Sequence, residues 1–265
     1  MRCAPTVYSL RVNPQTNYLW LSVISCFDKG VELLMMHSGT KLLRYVQLLD
    51  SALPIGGFSH SFGLEAYTHD GTVRTTSELE AFIRSQLHAN LVRLDGLAIK
   101  GVYEAMDQEN AALLALYDKQ VHAQRTPREL RESGHKMGKR LLKLARSLYP
   151  RMDFSLIDIA IHEHGAFCGI TTIHGYINHR LDIGLDEAVI GHLYTSVNAY
   201  VNSALRLLPI GQTEAQMLIH TLLDVIELEW NQVRGDDPDD IHSFGIAQEI
   251  YAMRHESLPA RLFMS

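Results

Sequence analysis

Apolar residues recur at steps of three and four over most of this chain. Leu79, Phe82, Ile83, Leu87, Leu91, Leu94, Ala98 and Val102 make one such stripe, which predicts a single long amphipathic helix. Its start is marked twice: Thr75 with Glu78, and Ser77 with Glu80, both match the capping-box pattern of a hydroxyl and a carboxylate that satisfy free backbone N–H groups. A second start is Thr126-Pro127-Arg128-Glu129, with Thr126 as the cap, Pro127 where its missing donor costs nothing, and Glu129 three residues on. Leu130, Met137, Leu141, Leu144 and Leu148 form the apolar face behind it, and Pro150 ends it. A third stripe, Val189, Leu193, Val197, Val201, Ala204 and Leu208, stops at Pro209 and Gly211. Thr213 to Gln216 then reads as the cap of a helix that turns Leu218, Leu222 and Ile226 inward. Weaker helical patterns cover 42–50, 110–122 and roughly 157–177. From Lys41 to Ser265 there is no strand-like alternation and no repeat of fixed period. The pattern predicts an all-α fold, an irregular helical bundle.

The two ends read differently. Residues 1–35 lack helical spacing and mix Pro5, Asn13, Pro14 and Asn17 with short β-prone stretches, and 1–40 is set aside as an N-terminal extension of unknown structure. Met35 or Met36 is an alternative initiator, an expectation that a native peptide from residues 2–11 in mass spectrometry would overturn. The helical domain is expected over 41–235. Gly235-Asp236-Asp237-Pro238-Asp239-Asp240 is a polar breaker, so 236–265 reads as an acidic linker followed by a terminal helix and tail. In that helix Ile246, Ala247, Ile250 and Met253 share one face. The apolar and basic tail, Leu258 to Phe263, either packs on its own domain or waits for a partner.

Composition narrows the function. With 46% hydrophobic residues and only 20% charged ones, the chain has the makings of a packed core. Its net charge of -6 argues against nucleic acid as a partner, since phosphate contacts dominate such binding. No apolar run approaches the length of a membrane helix. Cys3, Cys26 and Cys168 are too few and too scattered for a disulfide framework, which suits a reducing compartment.

Candidate chemistry is thin. Gly134 to Lys139 is a poor match to a phosphate loop, because its glycines are too close and it lies in mid-helix. His162-Glu163-His164 and the pair His174 and His179 lack the four-residue step that puts two ligands on one helix face, so no metal ligand is assigned. A metal-dependent hydrolase would need those histidines, and their spacing is against it. Ser59-His60-Ser61 puts a hydroxyl beside an imidazole, but neighbouring residues seldom make the hydrogen bond that nucleophile activation needs, and no catalytic residue is assigned. Arg125 to Arg146 holds eight basic residues against Glu129 and Glu132, a solvated face or one that steers an acidic partner.

Four ordered segments carry a more specific signal. Leu48 to Glu65 (LLDSALPIGGFSHSFGLE) is a loop that Pro54 stiffens and Gly56-Gly57 lets turn sharply, with Phe58 and Phe62 expected to bury and Ser59, His60 and Ser61 free to bond to backbone. It resembles the opening motif of the UreF family of urease accessory proteins. Arg131 to Gly138 resembles that family's mid-chain helix, where Ser133, Gly134 and Gly138 leave room for close helix approach. Asn202 to Thr213 resembles its turn between core helices. Ser243 to Leu258, with Arg261-Leu262-Phe263, resembles its C-terminal tail.

The resemblance implies an all-α, self-pairing, cytoplasmic protein that has no turnover of its own. Together with UreD (also called UreH) it would recruit the GTPase UreG for nickel insertion into apo-urease, and it would modulate that GTPase. It implies no cofactor for this chain, with nickel handled by the assembled complex. By the same resemblance the partner-facing residues would be Arg254, His255, Glu256, Ser257, Leu258, Arg261, Leu262 and Phe263 in the tail, with Arg206 and Gln212. The motif loop, with Asp50, Ser51, Pro54, Gly56, Gly57, Phe58, His60, Ser61, Gly63 and Glu65, would shape the core and the face toward UreG. The alternative is a generic helical GTPase regulator or adaptor with no link to urease. Such a regulator would supply an arginine in trans, from Arg206 or the Arg125–Arg146 face.

Overall fold

The structure is a computed structural model that describes residues 38–265; the expectations for residues 1–35 lie outside it. Residues Lys41–Ser265 form one compact unit. Among the described residues every regular element is helical, as the spacing predicts. The α-helices are α1 (Ser38–Leu48), α2 (Leu64–His69), α3 (Thr76–Gln86), α4 (Leu97–Asp107), α5 (Ala111–Gln124) and α6 (Arg128–Leu148). They continue with α7 (Ser155–His162), α8 (Ile170–Arg180), α9 (Leu185–Leu207), α10 (Gln212–Val233) and α11 (Ile246–His255).

The core is built around α8. Thr171 to Asn178 are all buried, and Ile173, Tyr176 and Ile177 are fully so. A helix apolar on every side is one surrounded by others: α4, α6 and α9 pack against it. Close approach to α6 depends on Gly138, where an added Cβ would sit 2.0 Å from the Cys168 carbonyl oxygen. That agrees with the small residues read from the sequence at this place.

Local signals held where they were local. Thr75 caps α3 with the expected capping box, its hydroxyl accepting from the Glu78 amide while Glu78 accepts from the Thr75 amide. Other details differ. The stripe from Leu79 to Val102 is not one α-helix, because a ten-residue π-helix, Leu87–Gly96, joins α3 to α4. Its wider turn advances the inward face by one residue, so after Leu87 it is Val92, five residues on, that buries, and Leu91 is only half-buried. The 157–177 stretch is two helices, α7 and α8, separated by a turn at Gly165, whose φ is +67°. Thr213 is not the cap of α10, which starts one residue earlier after Gly211 without a side-chain cap. Neither does Thr126 cap α6: the capping position is Pro127, the Thr126 hydroxyl donates to Glu249, and Glu129 is drawn elsewhere.

Candidate partner-binding site

Glu129 goes to the place where the motif loop meets the tail. The loop leaves α1 through a short turn in which the Asp50 carboxylate accepts from the Ala52 amide at 2.8 Å. Ser51 and Pro54 are exposed on it. Gly56 and Gly63 then take φ of +92° and +89°, left-handed values that favour glycine. At Gly56 an added Cβ would also strike the Arg140 guanidinium, which donates to the Ile55 carbonyl. At Gly63 it would lie 3.3 Å from the Ala252 side chain, so glycine lets α2 and α11 approach closely. Gly57 packs near the Met137 sulfur.

The tail folds back onto this loop. The Ser265 carbonyl accepts from the Ser61 amide at 2.5 Å, the Ser61 hydroxyl at 2.8 Å and the Phe62 amide at 3.1 Å. The Met264 amide donates to the Ser59 carbonyl at 2.8 Å, and the His60 ring meets the Ser265 hydroxyl at 2.7 Å. Burial, with Lys136 and Arg140 nearby, holds His60 below the ordinary histidine range, so the ring bonds there as neutral imidazole. Its carbonyl takes the Ser203 hydroxyl of α9.

Beneath the tail lies a buried charged cluster. His255 is fully buried, with Nε2 2.8 Å from a Glu65 oxygen and Nδ1 2.7 Å from a Glu129 oxygen. Glu65 also accepts from the amides of Leu262 at 2.6 Å and Phe263 at 3.1 Å, and Glu129 pairs with Arg261 at 2.7 Å. Charged groups are buried only when paired and hydrogen-bonded in this way. Tyr251 stacks on Tyr67 with ring centroids 3.8 Å apart and donates to Asp70. Arg206 lies over the Phe263 ring at 4.3 Å and reaches the Phe58 carbonyl.

The residues singled out from the sequence therefore divide. His255 and Phe263 are buried inside this chain, and so are His60, Ser61, Gly63 and Glu65. In this structure they hold the tail rather than face outward. Arg254, Ser257, Arg261 and Leu262 are exposed; Glu256 is half-buried and pairs with Arg128, and Leu258 is half-buried. Gln212 is exposed at the start of α10 and shares no hydrogen bond or ion pair with this cluster among the described residues. Phe58, expected to bury, is 74% exposed, while Phe62 does lie partly in the core. The apolar face of α11 points outward: Ile246, Ile250 and Met253 are exposed, as are Ala247 and the neighbouring Phe244. The helix docks instead through Ala252 and His255. Glu65 and Glu129 are what sequence reasoning missed as a pair, since Glu129 read as the partner of a Thr126 cap that the structure does not form.

Among the described residues no three His, Cys, Asp or Glu side chains are arranged to hold a metal ion. Of the basic run, Arg125 is turned into the fold against Asp95 and Arg131 donates to the Arg125 and Thr126 carbonyls; the other six, Arg128, Lys136, Lys139, Arg140, Lys143 and Arg146, are exposed, with Arg128 paired to Glu256 and Arg146 to Asp158. No described helix is long and apolar enough to cross a membrane. The site is thus a platform: a sharply turned loop and a folded-back tail, locked from below and ringed by exposed apolar side chains.

Comparison with known proteins agrees with the segment resemblance. The UreF family model matches residues 73–223. A urease accessory protein UreF from Lachnoclostridium phytofermentans is 34% identical over 224 residues, covering 84% of this chain and 98% of its own length. The UreF protein of Paenarthrobacter aurescens is 32% identical, covering 86% of this chain and 100% of its own. That of Bacillus sp. is 32% identical over 85% of this chain and 99% of its own.

Proposed function

Because the chain belongs to the UreF family of urease accessory proteins, we propose that it acts as a non-catalytic scaffold in urease maturation, with the loop–tail platform as its docking surface. In this reading the platform engages UreD (UreH), and the assembly then recruits the GTPase UreG for nickel insertion into apo-urease. The chain works as a homodimer in the cytoplasm, modulates UreG turnover, and takes no cofactor of its own.

The observation that carries the proposal is the outward apolar face of α11. A helix normally buries its apolar stripe. Here Ile246, at 64% exposure, and Ile250 and Met253 stay in solvent beside Phe244, while Ala252 and a fully buried histidine do the docking. An apolar surface kept exposed beside a locked loop is the usual mark of a protein interface. Phe58, Leu262 and Met264 extend the exposed apolar character to the loop and the tail end.

Deleting everything after Gly235 would be a blunt test, because it also strips Ile241 and Phe263 from the core. Charged substitutions on the exposed face are cleaner. Ile250→Asp with Met253→Asp is expected to leave the melting curve nearly unchanged, as exposed substitutions change stability by about 0.5 kcal/mol or less. Co-purification with UreD and nickel-dependent activation of urease in a reconstituted set are expected to be lost. Retention of both would refute the proposal.

A further inference from the structure

A second feature lies deeper, behind the loop. A cavity of about 320 Å³ opens between the motif loop, the π-helix, α6 and α9. That is the lower end of the range for small-molecule sites, which are mostly apolar with a few convergent polar groups. Leu53, Ile55, Leu91, Leu130, Met137 and Leu141 supply apolar wall. Asp95, Arg125, His174, His192 and Tyr200 supply the polar part.

The polar groups are incompletely used. Asp95 is buried, and one of its oxygens accepts from both the Arg125 guanidinium and the Thr171 hydroxyl. Its second oxygen has no hydrogen-bond partner among the described residues. The His192 ring stands 4.0 Å from Asp95, too far for a hydrogen bond, and makes none elsewhere among the described residues. The buried Tyr200 hydroxyl likewise has none, although Tyr200 lies within electrostatic reach of Asp95 and Arg125. None of these atoms is sealed off from a probe the size of water, so all three face the cavity. Buried polar groups are almost always paired. Three unpaired ones around one space point to something that enters it.

The backbone supports the same view. Asp95, Leu91 and Leu94 reach the cavity from the π-helix, a conformation that is rare and occurs mostly at functional sites. An α-helical path would give Asp95 a different direction.

We propose that this cavity is a binding site for a small, uncharged amphipathic molecule whose head both donates and accepts hydrogen bonds, as a carboxamide does. The charge balance selects a neutral head. Asp95 and Arg125 already compensate one another, and burial holds His174 and His192 below the ordinary histidine range, so both rings are neutral. At the buried end a charged head would meet no counter-charge beyond the Asp95–Arg125 pair, since Asp50 and Arg206, which also line the cavity, are exposed and Glu249 is only half-buried. A carboxamide N–H can donate to the free Asp95 oxygen, and its carbonyl can accept from the Tyr200 hydroxyl or from Arg125. The apolar body then lies along Leu53, Leu130 and Met137. The cavity and the exposed platform share the motif loop, with Phe58 and Arg206, but the cavity's occupancy can be read on the intact chain with no partner present.

Benzamide is a suitable probe. It would be titrated into the intact chain by calorimetry and thermal shift, beside toluene, which lacks the head, and benzoate, which carries a charge. Benzamide is expected to bind and raise the melting temperature, with toluene and benzoate at least tenfold weaker. Tyr200→Phe, which removes only the hydroxyl, is expected to weaken benzamide about threefold to tenfold, the worth of one hydrogen bond. Ala199→Leu, which fills the cavity wall, is expected to abolish binding while circular dichroism shows the fold retained. The proposal is overturned if millimolar benzamide does not bind, if toluene binds as tightly, or if Tyr200→Phe binds benzamide unchanged.

Discussion

Removing the Glu65 carboxylate should free the tail. In Glu65→Ala, three groups lose their partner at once: the buried Nε2 of His255, the buried amide of Phe263 and the part-buried amide of Leu262. A buried donor left unsatisfied costs about 1–3 kcal/mol, and breaking a buried ion pair costs about 3–5 kcal/mol. The chain has a cheaper response than bearing the sum. It can undock the tail, which returns all three donors to water and forfeits the tail's own contacts, among them Phe263 against Arg206 and the Ser265 carbonyl against Ser61. The expected result is a loss of about 3–5 kcal/mol in urea denaturation, together with fast amide exchange confined to 256–265 and to Ser61 and Phe62. Those last two amides report tail release directly, because their acceptor is Ser265. Glu65→Gln keeps a side-chain oxygen for one donor and should cost less, about 1–3 kcal/mol. If Glu65→Ala leaves exchange of Ser61, Phe62, Leu262 and Phe263 at the wild-type rate, the cluster does not hold the tail and the reasoning fails.

Two further outcomes follow from the core. Gly138→Ala places a methyl 2.0 Å from the Cys168 carbonyl, a backbone atom that cannot swing aside, so α6 and α8 must separate; a loss of at least about 1–3 kcal/mol is expected in chemical denaturation, and an unchanged midpoint would contradict the packing. Desolvation lowers His174 to about 3 in the folded state, against an ordinary value near 6.5. The unfolded chain therefore binds a proton that the folded chain refuses, so this contribution is whole above about pH 6.5 and drains away as pH falls toward about 3, at up to about 1.4 kcal/mol per pH unit. His174→Gln, which can still donate to the Ala188 carbonyl, should flatten the acid side of a stability-against-pH curve, and an unchanged slope would sink this account.

Periodicity and local chemistry were enough for the fold class, the helices of the core and the Thr75 capping box, because a capping box and a three-to-four step are written within a few neighbouring residues. The motif loop and the tail also stood out in the one-dimensional text, as family segments and as glycines with a steric task. What escaped depended on residues far apart in the chain. Nothing near Glu129 says that its partners are His255 and Arg261, and nothing near Glu65 announces the amides of Leu262 and Phe263. The stripe on α11 was legible as a stripe, but the side it would face was not. Amphipathicity records that a face is apolar but not what will cover it, and here Gly63 and the buried carboxylates draw the opposite face down onto the loop. The π-helix is of the same kind, since its register is settled by which residues of neighbouring helices it must meet. The sequence by itself determined that this is a helical bundle with a special loop and a special tail. Only the tertiary structure decided that the two are one surface, because burying His255 between Glu65 and Glu129 requires both carboxylates to arrive from other parts of the chain.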